Sequence, residues 1–197
     1  VLEYSLSCNK IDFFDKLSGN EKILEKLDNE DLKSVLEYSL SCNKIDFFDK
    51  LSGNEKIDSA YLRSVLNKCI YEDKIDFFDK ILGNEKVLEK LDRENLESLL
   101  SDCTYHNKID FFDKILGNEK VLEKLNTEYL GLVLGICVCE DKIDFFDKFL
   151  RNEKVLEKLN TEYLGLVLGI CVCESKTDFL ETLSGNTKVL EKLDSKD

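Results

Sequence analysis

Residues 44–56 read KIDFFDKLSGNEK. The same words stand at 10–22, close variants at 74–86, 108–120 and 142–154, and a worn copy, KTDFLETLSGNTK, at 176–188. With the first Ile as a ruler, the copies fall at Ile11, Ile45, Ile75, Ile109 and Ile143, with Thr177 as the sixth. The steps are 34, 30, 34, 34 and 34 residues. The short step is a deletion: where other copies read NEKVLEKLD, the second reads NEKID, a loss of about one helical turn. Longer stretches are copied verbatim, 1–23 at 35–57 and 120–140 at 154–174, as recent duplications would leave them.

One repeat resolves into helices. Ahead of each ruler lie sets such as Leu32, Val35, Leu36 and Ser39, spaced i, i+3, i+4, i+7 on one helical face. The last column is always small: Ser5, Ser39, Cys69, Cys103, Cys137, Cys171. This is helix A. Two residues before the ruler stand Asn9, Asn43, Asp73, Asn107, Asp141 and Ser175, which we read as N-caps of a helix B carrying the Phe pair. Gly19, Gly53, Gly83, Gly117 and Gly185 are expected to end helix B in the left-handed conformation, with Arg151 breaking the column. The Asn that follows (Asn20 through Asn186) is placed to cap a short helix C, EKVLEKL. Asp28, Asp92, Asn126 and Asn160 are placed to cap the next helix A. No proline interrupts any of these segments.

A unit of this size cannot bury its apolar face alone, and stacking makes one continuous core. The predicted fold is therefore all-α: an α-solenoid of about six tandem 34-residue helical hairpins, each with a short third helix. The units fall near 1–26, 27–56, 57–90, 91–124, 125–158 and 159–197 of a single array. The chain opens on Val1 inside a unit, which we read as a piece of a longer array.

The stretch from Leu134 to Leu150, LGICVCEDKIDFFDKFL, resembles the helical hairpin of ankyrin repeats: a Leu, a small residue three on, a turn, then an acidic and apolar second helix. The ankyrin Thr-Pro-Leu-His opening is absent, and helix C stands where the ankyrin loop would be. Tetratricopeptide repeats match in length but not in their Trp and Pro landmarks. Transcription-activator-like DNA-binding repeats are similar in the placing of Leu125, Glu128, Leu130, Val133, Ile143 and Leu150. Their Gly-rich loop is replaced here by Ile-Cys-Val-Cys.

The net charge is −13. Phosphate backbones repel that balance, which argues against a nucleic-acid partner. The longest apolar run, near 130–139, is far short of the roughly 20 residues that span a bilayer. The cysteines number eight and lie at repeat-locked positions, so we read them as buried thiols of a reducing compartment rather than a disulfide framework. Cys137/Cys139 and Cys171/Cys173 are spaced CxC, which puts the two thiols of each pair on different helix faces; no metal site is expected. His106 is the single histidine, at a helix end, and is read as a surface or capping residue. No catalytic residue and no cofactor is expected.

Function is sought where the columns vary. On helix A the variable stripe reads Ser34, Tyr38, Ser41; then Ser64, Lys68, Tyr71; then Ser98, Asp102, Tyr105. It turns apolar in the last two units: Leu132, Ile136, Cys139; then Leu166, Ile170, Cys173. The expected role is a non-catalytic, acidic, cytoplasmic repeat scaffold that binds a protein along this stripe, with helix A lining the concave face. Self-association through terminal repeats would compete with that docking. The alternative is a modular nucleic-acid-binding array of the transcription-activator-like type. Composition also fits an AT-rich genome and delivery into a host cytosol.

Overall fold

The computed structural model describes Asn20 and residues 26–194. Among them are fourteen helices and no strand, the tandem helical repeats of an α-solenoid. The first copy of the phrase, with Ser5, Cys8, Asn9, Ile11, Phe13, Phe14 and Gly19, lies outside the described residues. The chain divides into two compact units, 1–95 and 96–197.

In the first unit, α1 (Asn29–Ser41) and α2 (Ile45–Ser52) form one hairpin, and α3 (Ser59–Tyr71) and α4 (Ile75–Gly83) the next, followed by α5 (Glu85–Lys90). Helix α6 (Arg93–Tyr105) begins at its end and lies mostly in the second unit. The second unit continues with α7 (Ile109–Gly117), α8 (Glu119–Lys124), α9 (Thr127–Cys139), α10 (Ile143–Arg151), α11 (Glu153–Lys158), α12 (Thr161–Cys173), α13 (Thr177–Gly185) and α14 (Thr187–Asp194). Helix C is missing from the repeat with the deletion: Asn54–Ile57 is a turn there, although Ile57 still reaches the core. Four residues are too few both to leave helix B and to wind another turn.

The apolar face of helix A is buried as its period requires. Leu32, Leu36 and Ser39 are fully inaccessible, and so are Leu130, Leu134 and Cys137. Burying a Leu or Val here stabilises by about 1.5–3 kcal/mol. Helix B buries both Phe of each pair, because residues at i, i+1, i+4 and i+5 make a wide stripe. The rings stack edge-on from repeat to repeat: Phe48 on Phe77 at 5.8 Å, Phe112 on Phe145 at 5.0 Å, Phe146 on Phe179 at 5.0 Å.

The turn between A and B differs from the expectation. Asn43, Asp73, Asn107, Asp141 and Ser175 are not N-caps of helix B: each has φ of +55° to +57° and ends helix A. The next Lys donates its N–H back five residues, as in Lys74 to the Cys69 carbonyl at 2.9 Å, closing a Schellman turn. That Lys is also the N-cap of helix B, with no side-chain cap bond. Asn and Asp tolerate the left-handed region better than other non-glycine residues, which accounts for the column. The glycines are correspondingly not left-handed: no described Gly has positive φ. Gly83, Gly117 and Gly185 simply end helix B. Arg151 can therefore replace Gly without backbone strain, and its Nε bonds Asp147 at 2.9 Å.

The caps of helices A and C are as expected. Asp28, Asp92, Asn126 and Asn160 each accept an N–H three residues on, at 2.7–3.0 Å. Asn84, Asn118, Asn152 and Asn186 accept from the first turn of helix C. Three of these Asn also face backwards: their Nδ2 donates to Asp49 O at 3.3 Å, Leu116 O at 2.9 Å and Leu150 O at 2.9 Å, 35 or 36 residues earlier. One amide thus caps its own helix C and fastens it to the preceding helix B.

Lysines and tyrosines add further joints of the same kind. Lys74 Nζ donates to Leu40 O at 2.7 Å; Lys90 reaches across to Asn54 O while also donating to Ile57 O at 3.0 Å, and Lys158 reaches Leu122 O while also donating to Leu125 O at 2.8 Å. Tyr61 donates to Lys33 O at 3.0 Å, and Tyr129 donates to Glu97 O.

Candidate functional site

The variable stripe of helix A is solvent-facing in both units, but its character changes. In the first unit Tyr38 and Lys68 are half-exposed and Tyr71 is 57% exposed. Lys68 and Tyr71 line one open depression on α3 together with Arg63, Asn67 and Glu72. Lys68 Nζ lies 4.0 Å from Glu72, a helical i,i+4 pair.

In the second unit Asp102 is half-exposed and Tyr105 is 78% exposed, its ring edge-on to His106 at 4.9 Å. Leu132 and Leu166 are 56% and 58% exposed, Ile136 is at 36%, and Ile170 is half-buried. Tyr105 and Ile136 are brought together. They wall an apolar cleft of about 170 Å³ floored by Thr104 and Val133, with Glu140 and Lys142 at its rim.

The apolar rows of α9 and α12 lie side by side because the two helices pack together along their length. Gly131 makes this possible. A Cβ built on it would stand 2.5 Å from ring atoms of Tyr163. Gly165, its counterpart one repeat later, has nothing within 4 Å. Two verbatim copies of one helix thus meet unlike surroundings. Val138 is buried where Val172 is 61% exposed, and Leu156 is buried where Leu190 is 41% exposed. In each pair the first residue is covered by the next repeat.

The cysteines divide by column, which corrects the reading of all of them as buried. Cys69, Cys103, Cys137 and Cys171 are buried in the small column, whereas Cys42, Cys139 and Cys173 are exposed. All seven described cysteines are free thiols. Burial pushes the Cys69 and Cys137 thiols up to about 12, and raises Cys103 and Cys171 as well. Cys137 faces inward and Cys139 outward, as helical geometry requires for residues two apart. Among the described residues no group of His, Cys, Asp and Glu is arranged to hold a metal ion. No described helix is long and apolar enough to cross a membrane.

Sequence reading missed the amphipathic tyrosines that work between repeats. Tyr61, Tyr129 and Tyr163 occupy one column, and the ring placement over Gly131 shows that the column serves stacking. Their recurrence at 34-residue spacing in the last two copies was the available signal.

No curated protein and no solved structure matches the chain. The sequence pattern of a repeat family does match, over residues 2–165. The chain belongs to that family, described as a repeat of unknown function (DUF1103).

Proposed function

We propose that this chain is a non-catalytic helical-repeat scaffold whose helix A surface docks a segment of another protein. One observation carries the reading: Leu132, Ile136 and Leu166 stand exposed on two neighbouring helices whose opposite faces are already buried. Contiguous exposed apolar surface usually marks an interaction site. The carboxylates recur once per repeat at helix starts, a capping pattern rather than a paired acid and base.

We read the six units as one array, with an A–B hairpin resembling that of ankyrin repeats and helix C in place of their loop. Free exposed thiols at Cys42, Cys139 and Cys173 support work in a reducing cytoplasm. The acidic balance favours protein over nucleic acid as partner.

The test is a comparative pull-down. The baits are the chain and a Leu132→Lys, Leu166→Lys variant that keeps its helical circular dichroism. Both positions are more than half exposed, so the lysines cost little stability. Proteins retained by the chain and lost with the variant support the docking surface; identical captures would remove it.

A further inference from the structure

The apolar stripe of the second unit has charged ends. On α9 the residues at i, i+4, i+8 and i+12 are Glu128, Leu132, Ile136 and Glu140, one helical ridge. On α12 the same ridge reads Glu162, Leu166, Ile170 and Glu174. All four glutamates are exposed. Neither helix carries a lysine or arginine. Glu128, Glu140 and Glu162 have no ion-pair partner among the described residues, and Glu174 meets Lys176 only at 3.9 Å. The lysines that follow the helices are turned back along the preceding A–B turns: Lys142 donates to Asn107 at 2.5 Å and Lys176 to Asp141 at 2.6 Å. Asp102, on the ridge of the preceding helix A, is a further half-exposed carboxylate, while the cleft of Tyr105 and Ile136 itself carries Glu140 and Lys142.

Two ridges of this kind, held together at Gly131, make an apolar patch with carboxylates at both ends. We infer that the occupant of this surface is a basic amphipathic segment, with aliphatic side chains set on Leu132, Ile136, Leu166 and Ile170, and Lys or Arg at both ends meeting the glutamates. This rests on the docking reading above and names the partner's chemistry. An acidic or neutral segment with the same apolar face would leave uncompensated carboxylates beside its charges, and like charges brought together oppose binding.

The experiment uses three labelled synthetic peptides and fluorescence anisotropy. One is an amphipathic helix of Leu and Lys. The second has Glu in place of every Lys. The third has the composition of the first, scrambled so that no apolar face remains. The expected order is Leu/Lys tightest, with the scrambled and Leu/Glu peptides each at least about tenfold weaker. Ile136→Ser with Leu166→Ser should lower Leu/Lys affinity by about tenfold. So should Glu128→Gln, Glu140→Gln, Glu162→Gln and Glu174→Gln together. An equal-charge control, Glu89→Gln, Glu123→Gln, Glu157→Gln and Glu181→Gln, should change it by less than about twofold.

Equal binding of the Leu/Lys and scrambled peptides, or equal losses in the two glutamine variants, would show general attraction to an acidic chain and overturn the inference. Tighter binding of the Leu/Glu peptide, abolished by Ile136→Ser with Leu166→Ser, would overturn the charge assignment while leaving the docking surface standing. No binding of any peptide overturns the inference; the pull-down then decides the docking reading separately.

Discussion

Gly131 and Gly165 occupy the same position in two verbatim copies of one helix, yet they should respond oppositely to alanine. In a helix interior, Gly→Ala stabilises by roughly 0.8–1.0 kcal/mol through backbone entropy and propensity. At Gly165 nothing lies within 4 Å of the new Cβ, so the whole gain should appear. At Gly131 the new Cβ falls 2.5 Å from Cγ and Cδ1 of Tyr163 and 2.9 Å from its Cβ. Ordinary carbon contacts need about 3.5–4 Å. The ring must retreat by roughly 1 Å, and because its Cβ is also too close, rotation alone cannot relieve the clash. Overpacking of this kind costs about 1–3 kcal/mol. Net of the propensity gain, Gly131→Ala should be roughly 0–2 kcal/mol less stable than the parent, and about 1–3 kcal/mol less stable than Gly165→Ala. Urea unfolding followed by circular dichroism measures the difference. Repeat arrays can depart from two-state behaviour, so midpoints and slopes are fitted together. Adding Tyr163→Ala to Gly131→Ala should recover the helix-propensity gain, a coupling that a double-mutant cycle isolates. Equal shifts for both alanines, or no coupling to Tyr163, would refute the account of how α9 and α12 approach each other.

The joints and turns make further predictions. Asn152→Ala removes both a helix cap and a bond to Leu116 O, and should cost about 1.5–3 kcal/mol in urea unfolding. Asn152→Asp keeps the acceptor for Val155 N–H but loses the donor, so its loss should be smaller; equality with alanine would mean that the cap contributes nothing. Ser175 sits at φ +56°, so Ser175→Gly should raise the thermal midpoint and Ser175→Val should lower it, with about 1–2 kcal/mol between them. Iodoacetamide should label Cys42, Cys139 and Cys173 in the folded chain, and Cys69, Cys103, Cys137 and Cys171 only after unfolding, as peptide mass spectrometry would show. Burial raises the folded pKa of Cys137 above its unfolded value. Its stabilising contribution is therefore complete below pH about 8.5 and is lost as pH rises toward 12. Through that window each such thiol adds a fall of about 1.4 kcal/mol per pH unit, and Cys137→Ala should shallow the measured slope.

How much of this could be read in the chain depends on what each residue answers to. The buried faces of helices A and B were legible because helical period alone places Leu32, Val35, Leu36 and Ser39 together. The caps Asp28 and Asn126 were legible because they act on their own next turn. The A–B turn was misassigned because Asn and Asp suit both an N-cap and a left-handed residue. Only φ distinguishes the two at Asn43 or Asp141. The exposed apolar stripe was written as a pattern, Leu132, Ile136, Leu166 and Ile170, but whether it faced solvent depended on which neighbour lay against it. The bonds from Asn152 and Lys158 to carbonyls of the preceding repeat could not be read. They depend on two backbones about 34 residues apart meeting at one angle, and no local preference encodes that.

Those bonds share a direction. Asn84, Asn152, Asn186, Lys74, Lys90, Lys158, Tyr61 and Tyr129 all lie in the later repeat, and each bonds a main-chain oxygen in the earlier one. Thr161, which donates to Lys192 O at 3.2 Å, bonds within its own unit. Every residue type, proline included, presents a carbonyl, so these joints ask no particular side chain of the earlier unit, unlike Lys142 on Asn107 or Tyr163 over Gly131. A freshly duplicated unit brings the fastening half of these main-chain joints with it. Gains, losses and exchanges of whole units then leave this set of bonds intact without matched substitutions on the other side of the seam. The variable columns of helix A can diverge one unit at a time without breaking these main-chain bonds, because none of the eight bonding side chains stands in them.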